Sequence, residues 1–142
     1  MEPDQDATVH KYDDMEVLAF GEGIGLRRAA VGGLVQTWIE MTEGNASPLH
    51  RHEPEQTIVL VTGKLRARSG NNGQEIYTEM GPGDMFMVPS NVMHQVEALE
   101  DSVFVEAFGP GYDADKASKS PEKRRQERAA ARAAAADGEP AA

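Results

Sequence analysis

Cysteine is absent from this 142-residue chain. That excludes disulfides, thiolate metal ligands and a cysteine nucleophile, and it leaves imidazole and oxygen as the strong metal donors. Positive charge is scarce: 14 Lys and Arg stand against 24 Asp and Glu, a formal net charge of −10. A body of that sign repels polyanions, so neither nucleic acid nor an anionic membrane is expected as a partner. Long apolar runs are missing as well. None approaches the roughly 20 residues of a membrane span, and residues 1–6 are acidic and poor in apolar side chains. A soluble, cytoplasmic protein is the expectation, with a length that suits one domain and one core.

What the chain does have is histidine in a pattern. His50 and His52 are one residue apart, and side chains alternate faces along an extended chain, so both imidazoles fall on the same side and can converge on one ion. His94 follows an apolar run punctuated by Gly83 and Pro89, and can bring a third ligand in from a partner strand. His10 lies in an acidic arm far from these three and is set aside as a ligand.

The organisation is read as an N-terminal arm over residues 1–16, a β domain over 17–112 and a charged, Ala-rich tail over 113–142. Short β-branched and apolar runs, separated by Gly, Pro and Asn turns, fill the middle segment, and no helical period appears before residue 113. Such a pattern predicts an all-β closed barrel, jelly roll or sandwich. Trp38, Met85, Met87 and Met93 are read as packing residues, and the charged strand over 64–68 as an outer edge. Arg27 and Arg28 are adjacent and face opposite sides if the chain is extended. One of them can point into a barrel mouth and bind a carboxylate; Arg27 is taken as that candidate, with solvated surface as the alternative. Glu106 lies between Phe104 and Phe108 on one face of the last strand, as a proton-transfer group facing a barrel mouth or as a paired surface carboxylate. The tail reverses the charge balance: residues 113–142 carry seven basic and six acidic side chains, net +1, against −11 for the remainder. Ser120 and Pro121 would open a helix there, and its alanine face offers little to bury. A solvated helical or disordered tail is expected.

The two histidine segments resemble the paired motifs of the cupin superfamily. Gly44, His50, His52 and Gly63 match the first motif, with Gln56 where Glu is usual; Gly83, Pro89 and His94 match the second, with Asn91 at a glycine position. Asn tolerates the left-handed backbone that glycine supplies, so the turn can survive. The resemblance implies a double-stranded β-helix, the jelly-roll barrel. Within the superfamily the chain looks like the pectin-degradation cupins, which convert a 4,5-unsaturated uronate to its linear keto form. That resemblance implies one divalent metal ion held by His50, His52, Gln56 and His94, with Glu106 as the acidic catalytic residue and Phe108 beside the substrate. Tyr112 stands where those proteins carry an arginine. It would suit a less charged or more aromatic substrate, or be a plain surface residue.

Three classes of function are compatible with these residues. The first is an isomerase or lyase that acts on a small organic acid, sugar acid or enol/carbonyl compound, by Lewis-acid polarisation and proton transfer through Glu106. The second is an Fe(II)-dependent dioxygenase, and the third a small-molecule-binding cupin without turnover. Imidazole suits Zn, Ni, Fe, Mn and Co alike, so the ion's identity is not legible. A homodimer is expected because exposed strand edges need cover.

Overall fold

A computed structural model describes residues 6–20 and 22–112. Among the described residues nine strands appear in chain order: β1 Leu18–Ala19, β2 Ile24–Val31, β3 Leu34–Met41, β4 Gln56–Thr62, β5 Leu65–Ser69, β6 Ile76–Met80, β7 Met85–Val88, β8 His94–Ala98 and β9 Ser102–Phe108. They form a six-stranded sheet, β1-β2-β3-β9-β4-β7, and a three-stranded sheet, β6-β5-β8. All strand pairings are antiparallel. The fold is all-β, as the strand pattern and the motif resemblance both predict, and the described residues contain no α-helix and no segment able to cross a membrane as a helix. The tail expected over 113–142 lies outside the described residues.

The core forms where the inner faces of the sheets meet. On β4 the inward residues are Gln56, Ile58 and Leu60, and on β9 Phe104, Glu106 and Phe108, as period-two alternation requires. Phe104, Ile58, Leu60, Leu65 and Val96 are almost wholly buried. Phe104→Ala would cost about 3–5 kcal/mol through lost burial and a residual cavity. Two turns hold the frame. Gly63 has φ 96, and a Cβ there would meet the Asp101 carbonyl oxygen and Ser102 Oγ at 2.4 Å. Asn91 adopts φ 62, so the asparagine in the second motif takes the glycine's left-handed conformation.

Several sequence expectations change. Trp38 lies on the outer face of β3, half-buried beneath the edge of Tyr12, because Val35, Thr37, Ile39 and Met41 take the inward positions. Met85 and Met87 are exposed, at 68% and 63%, on the outer face of β7, while Phe86 and Val88 turn inward. The charged strand β5 sits between β6 and β8 rather than at an edge. Its charges are accommodated outside, where Arg66 pairs with Glu97 at 2.7 Å and Arg68 with Glu75. Within the N-terminal arm, Tyr12–Asp14 forms one 3-10 turn that docks on β3 through the Tyr12 hydroxyl and Glu40.

Candidate metal centre

The first two histidines precede β4 and the third opens β8. A two-residue bridge pairs His50 with His94, the backbone N–H of each donating to the carbonyl of the other at 3.2 and 2.9 Å. His52, two residues on from His50, returns to the same side. The rings therefore converge: centroids lie 5.2 Å apart for His50 and His52, 4.4 Å for His50 and His94, and 4.9 Å for His52 and His94. Their candidate ligand atoms all lie within 4.8 Å of one another.

Hydrogen bonding decides which nitrogen faces the centre. Nδ1 of His50, His52 and His94 lies 2.7, 2.7 and 2.8 Å from the backbone carbonyls of Pro48, Pro54 and Val92. A carbonyl oxygen only accepts, so each Nδ1 carries the proton and each neutral ring turns the lone pair of Nε2 inward. Gln56, 4% exposed, points its Oε1 to within 2.9 Å of His52 Nε2 and 3.0 Å of His94 Nε2. These contacts bring acceptor against acceptor, an arrangement that calls for a cation between them. Imidazole nitrogens and an amide oxygen gathered this closely are the kind of N/O donor set that would hold a divalent ion. The residues therefore fit a divalent metal. Burial depresses the pKa of His50, and burial followed by the charge of His50 takes His94 down to about 4, so both rings stay neutral and able to ligate.

Beside this cluster opens a cavity of about 640 Å3. Glu106 lines it and accepts a side-chain hydrogen bond from Gln56. Its carboxyl is half-buried by exposed area because it faces the cavity, yet protein crowds it from the other sides. Burial raises its pKa to about 7, against the opposing effects of the Arg28 charge and the Gln56 hydrogen bond. Gln56 thus spans two groups, with its carbonyl toward the histidines and its amide N–H toward Glu106. Phe108 meets His52 edge-on at 5.7 Å, and Tyr112 stacks on Phe108 at 3.9 Å with the planes 13° apart. Both aromatic rings line the cavity.

Arg27 does not face the cavity, contrary to the sequence expectation. Its guanidinium lies 3.7 Å from the centre of the Tyr12 ring, its Nε donates to the Tyr12 carbonyl, and Nη1 is 3.7 Å from Glu40, all on the outer face. The cavity receives Arg28 instead. Leu26 points inward on β2, so period two carries Arg28 inward and Arg27 outward. Leu26 was the signal available in the sequence, since a buried leucine two residues before one arginine fixes that arginine's side.

The profile of the family described as Cupin domain matches residues 37–107. No curated protein matches the chain by sequence. Among solved structures, KdgF from Halomonas sp. superposes with a TM-score of 0.67 at 25% identity, covering 77% of this chain and 99% of that one. An RmlC-like cupin from Shewanella frigidimarina NCIMB 400 gives 0.69 at 19% identity, with 78% and 97% covered. Oxalate decarboxylase from Bacillus subtilis, in a structure concerned with its Mn(II) centres, gives 0.67 at 22% identity over 80% of this chain and 33% of that longer one. The latter two likenesses speak to the fold alone.

Proposed function

Because this chain belongs to the cupin domain family, we propose that it is a metal-dependent enzyme of the isomerase or lyase type, acting on a small organic acid, sugar acid or enol/carbonyl compound. A divalent ion held by His50, His52, Gln56 and His94 would supply Lewis-acid polarisation of a substrate oxygen. The remaining work falls to the chain. The carbonyls of Pro48, Pro54 and Val92 keep the three imidazoles in the ligating tautomer. Glu106 moves the proton. As a carboxylate it would take a proton from the carbon alpha to the substrate's carbonyl or carboxylate group, and as a carboxylic acid return that proton to another carbon of the same substrate or to a departing group. Gln56 orients the carboxylate through its amide N–H, and Phe108 with Tyr112 covers one side of the site against water.

The observation that carries this reading is that Glu106, its carboxyl pushed up to about 7 by burial, lines the same cavity as Gln56 and the three converging histidines. A proton-transfer group beside the candidate ligands is what polarisation coupled to proton transfer needs. The test combines metal analysis of protein purified without chelator with anaerobic turnover of candidate enols and sugar acids in D2O, read by deuterium incorporation at carbon. Stoichiometric metal and oxygen-independent exchange are expected. Turnover only with oxygen uptake would transfer the chain to the dioxygenases. Absence of metal would leave a binding protein.

A further inference from the structure

The register of the larger sheet sorts the cavity wall into rows. Gln56 pairs with Val88 on one side and Phe108 on the other, and Phe108 with Val35, which makes the row at the metal end. Two residues along each strand, Ile58, Glu106, Thr37 and Arg28 form a second row. Two further on come Leu60, Phe104, Ile39 and Leu26, and beyond them Met41 and Ile24. Residues two apart on a strand are separated by about 6.6–6.8 Å, so the third row lies roughly 13 Å from Gln56.

Polarity falls off along these rows. The second row supplies Arg28 and Glu106, which lie close enough for the arginine's charge to act on the carboxyl. Thr37 in the same row already donates its hydroxyl to the Glu106 carbonyl at 3.2 Å. Past it the cavity is lined by Leu26, Ile39, Phe104, Met41, Ile24 and Phe20. Ser47 from the opposite wall also reaches the cavity, and its hydroxyl accepts from the Val96 N–H at 3.0 Å. A sugar acid carries a hydroxyl on nearly every carbon, and each one taken out of water needs a partner. The third and fourth rows present hydrocarbon. An alkyl or aromatic body gives up nothing there, and about 640 Å3 is room for one.

Resting on the metal-dependent reading above, we propose that the substrate is a carboxylic acid with an apolar body. Its carboxylate sits on Arg28 and its body lies against Leu26, Ile39 and Phe104. The planar guanidinium matches a carboxylate in two parallel hydrogen bonds, a fork that Tyr112 cannot supply at the cavity's other end. Glu106, in the same row as Arg28, then faces the carbons next to that carboxylate.

Calorimetric titration of the full-length protein with 3-phenylpropanoate, 3-phenylpropanol and D-galacturonate tests this. The expected result is 3-phenylpropanoate binding at least tenfold more tightly than either other compound, with Arg28→Gln removing the advantage over the alcohol. Galacturonate binding as tightly as 3-phenylpropanoate overturns the proposal. So does an Arg28→Gln protein, folded by its melting curve, that keeps the full preference for the acid. If that variant does not fold, the acid-to-alcohol ratio of the unaltered protein after EDTA treatment carries the same decision, since a bound ion would itself favour a carboxylate. Repeating the titrations on EDTA-treated protein separates this inference from the one beneath it. Acid preference in a protein that never takes up metal would leave the inference standing while the metal-dependent reaction fell. Anaerobic turnover of a sugar acid, with no binding of 3-phenylpropanoate, would do the reverse.

Discussion

Gln56 serves two neighbours with different needs, since its carbonyl oxygen faces His52 and His94 while its amide N–H is given to Glu106. A glutamate in its place has no N–H to give, and it adds a negative charge to both sides. Gln56→Glu is therefore expected to hold metal more tightly against a competing chelator and to turn over more slowly. The ion's charge is partly cancelled, and Glu106 loses its donor and gains a like-charged neighbour. Faster turnover with tighter metal would contradict this account. Glu106→Gln divides the same pair differently: it keeps the shape but cannot exchange a proton, so metal content should be unchanged while the rate falls about 10²-fold or more. His52→Ala should lose metal and rate together, and full metal occupancy in that variant would show that the ligand set is wrong.

At the scale of strands and turns, Asn91 offers a direct measurement. A β-branched residue in the left-handed region costs roughly 1–2 kcal/mol, whereas glycine enters it freely. Asn91→Val should lower unfolding free energy by about that amount in urea, and Asn91→Gly should change it little. Equal effects from the two would mean that φ 62 is not what matters at this turn. The turn was legible in the sequence because Gly83, Pro89 and His94 fix its place in a spaced motif. The side of the sheet on which Arg27, Arg28 and Trp38 lie was not. Alternation says that neighbours face opposite ways but not which way is in, and polarity usually decides that. Here polarity misleads. Thr37, Arg28 and Glu106 turn inward to line a cavity, while Trp38, Val103 and Val105 turn outward. The same inversion hid Met85 and Met87, whose strand reads as core until β4 is seen to be its one partner in the sheet. Strand β5 misled in the opposite sense, since its arginines suggest an edge, but carboxylates on β8 and before β6 receive them in mid-sheet.

For the whole molecule, the apolar outer face raises the question of what covers it. The row Met85, Val59, Val105 and Trp38 crosses four strands, and the outward residues of β4, β7 and β9 carry no charge. A chain at −10 repels its own copies, so self-association is favoured where that charge is absent. Strand β7 also leaves one edge unpaired among the described strands, and Met85, Met87 and Val61 are all exposed beside it. We infer that a second copy of the chain covers this face. An uncharged contact between two acidic bodies has a definite salt dependence. Raising ionic strength screens the long-range repulsion and leaves apolar burial in place, so the dimer should tighten from low salt to about 0.5 M, where the Debye length is only a few ångströms. An interface of ion pairs would weaken over the same range. Light scattering should give twice the chain mass of 15.4 kDa for the unaltered protein, and a monomer for the Met85→Glu, Met87→Glu double variant with metal content unchanged. A variant that stays dimeric, or a dimer that dissociates as salt rises, would place the contact on some other surface.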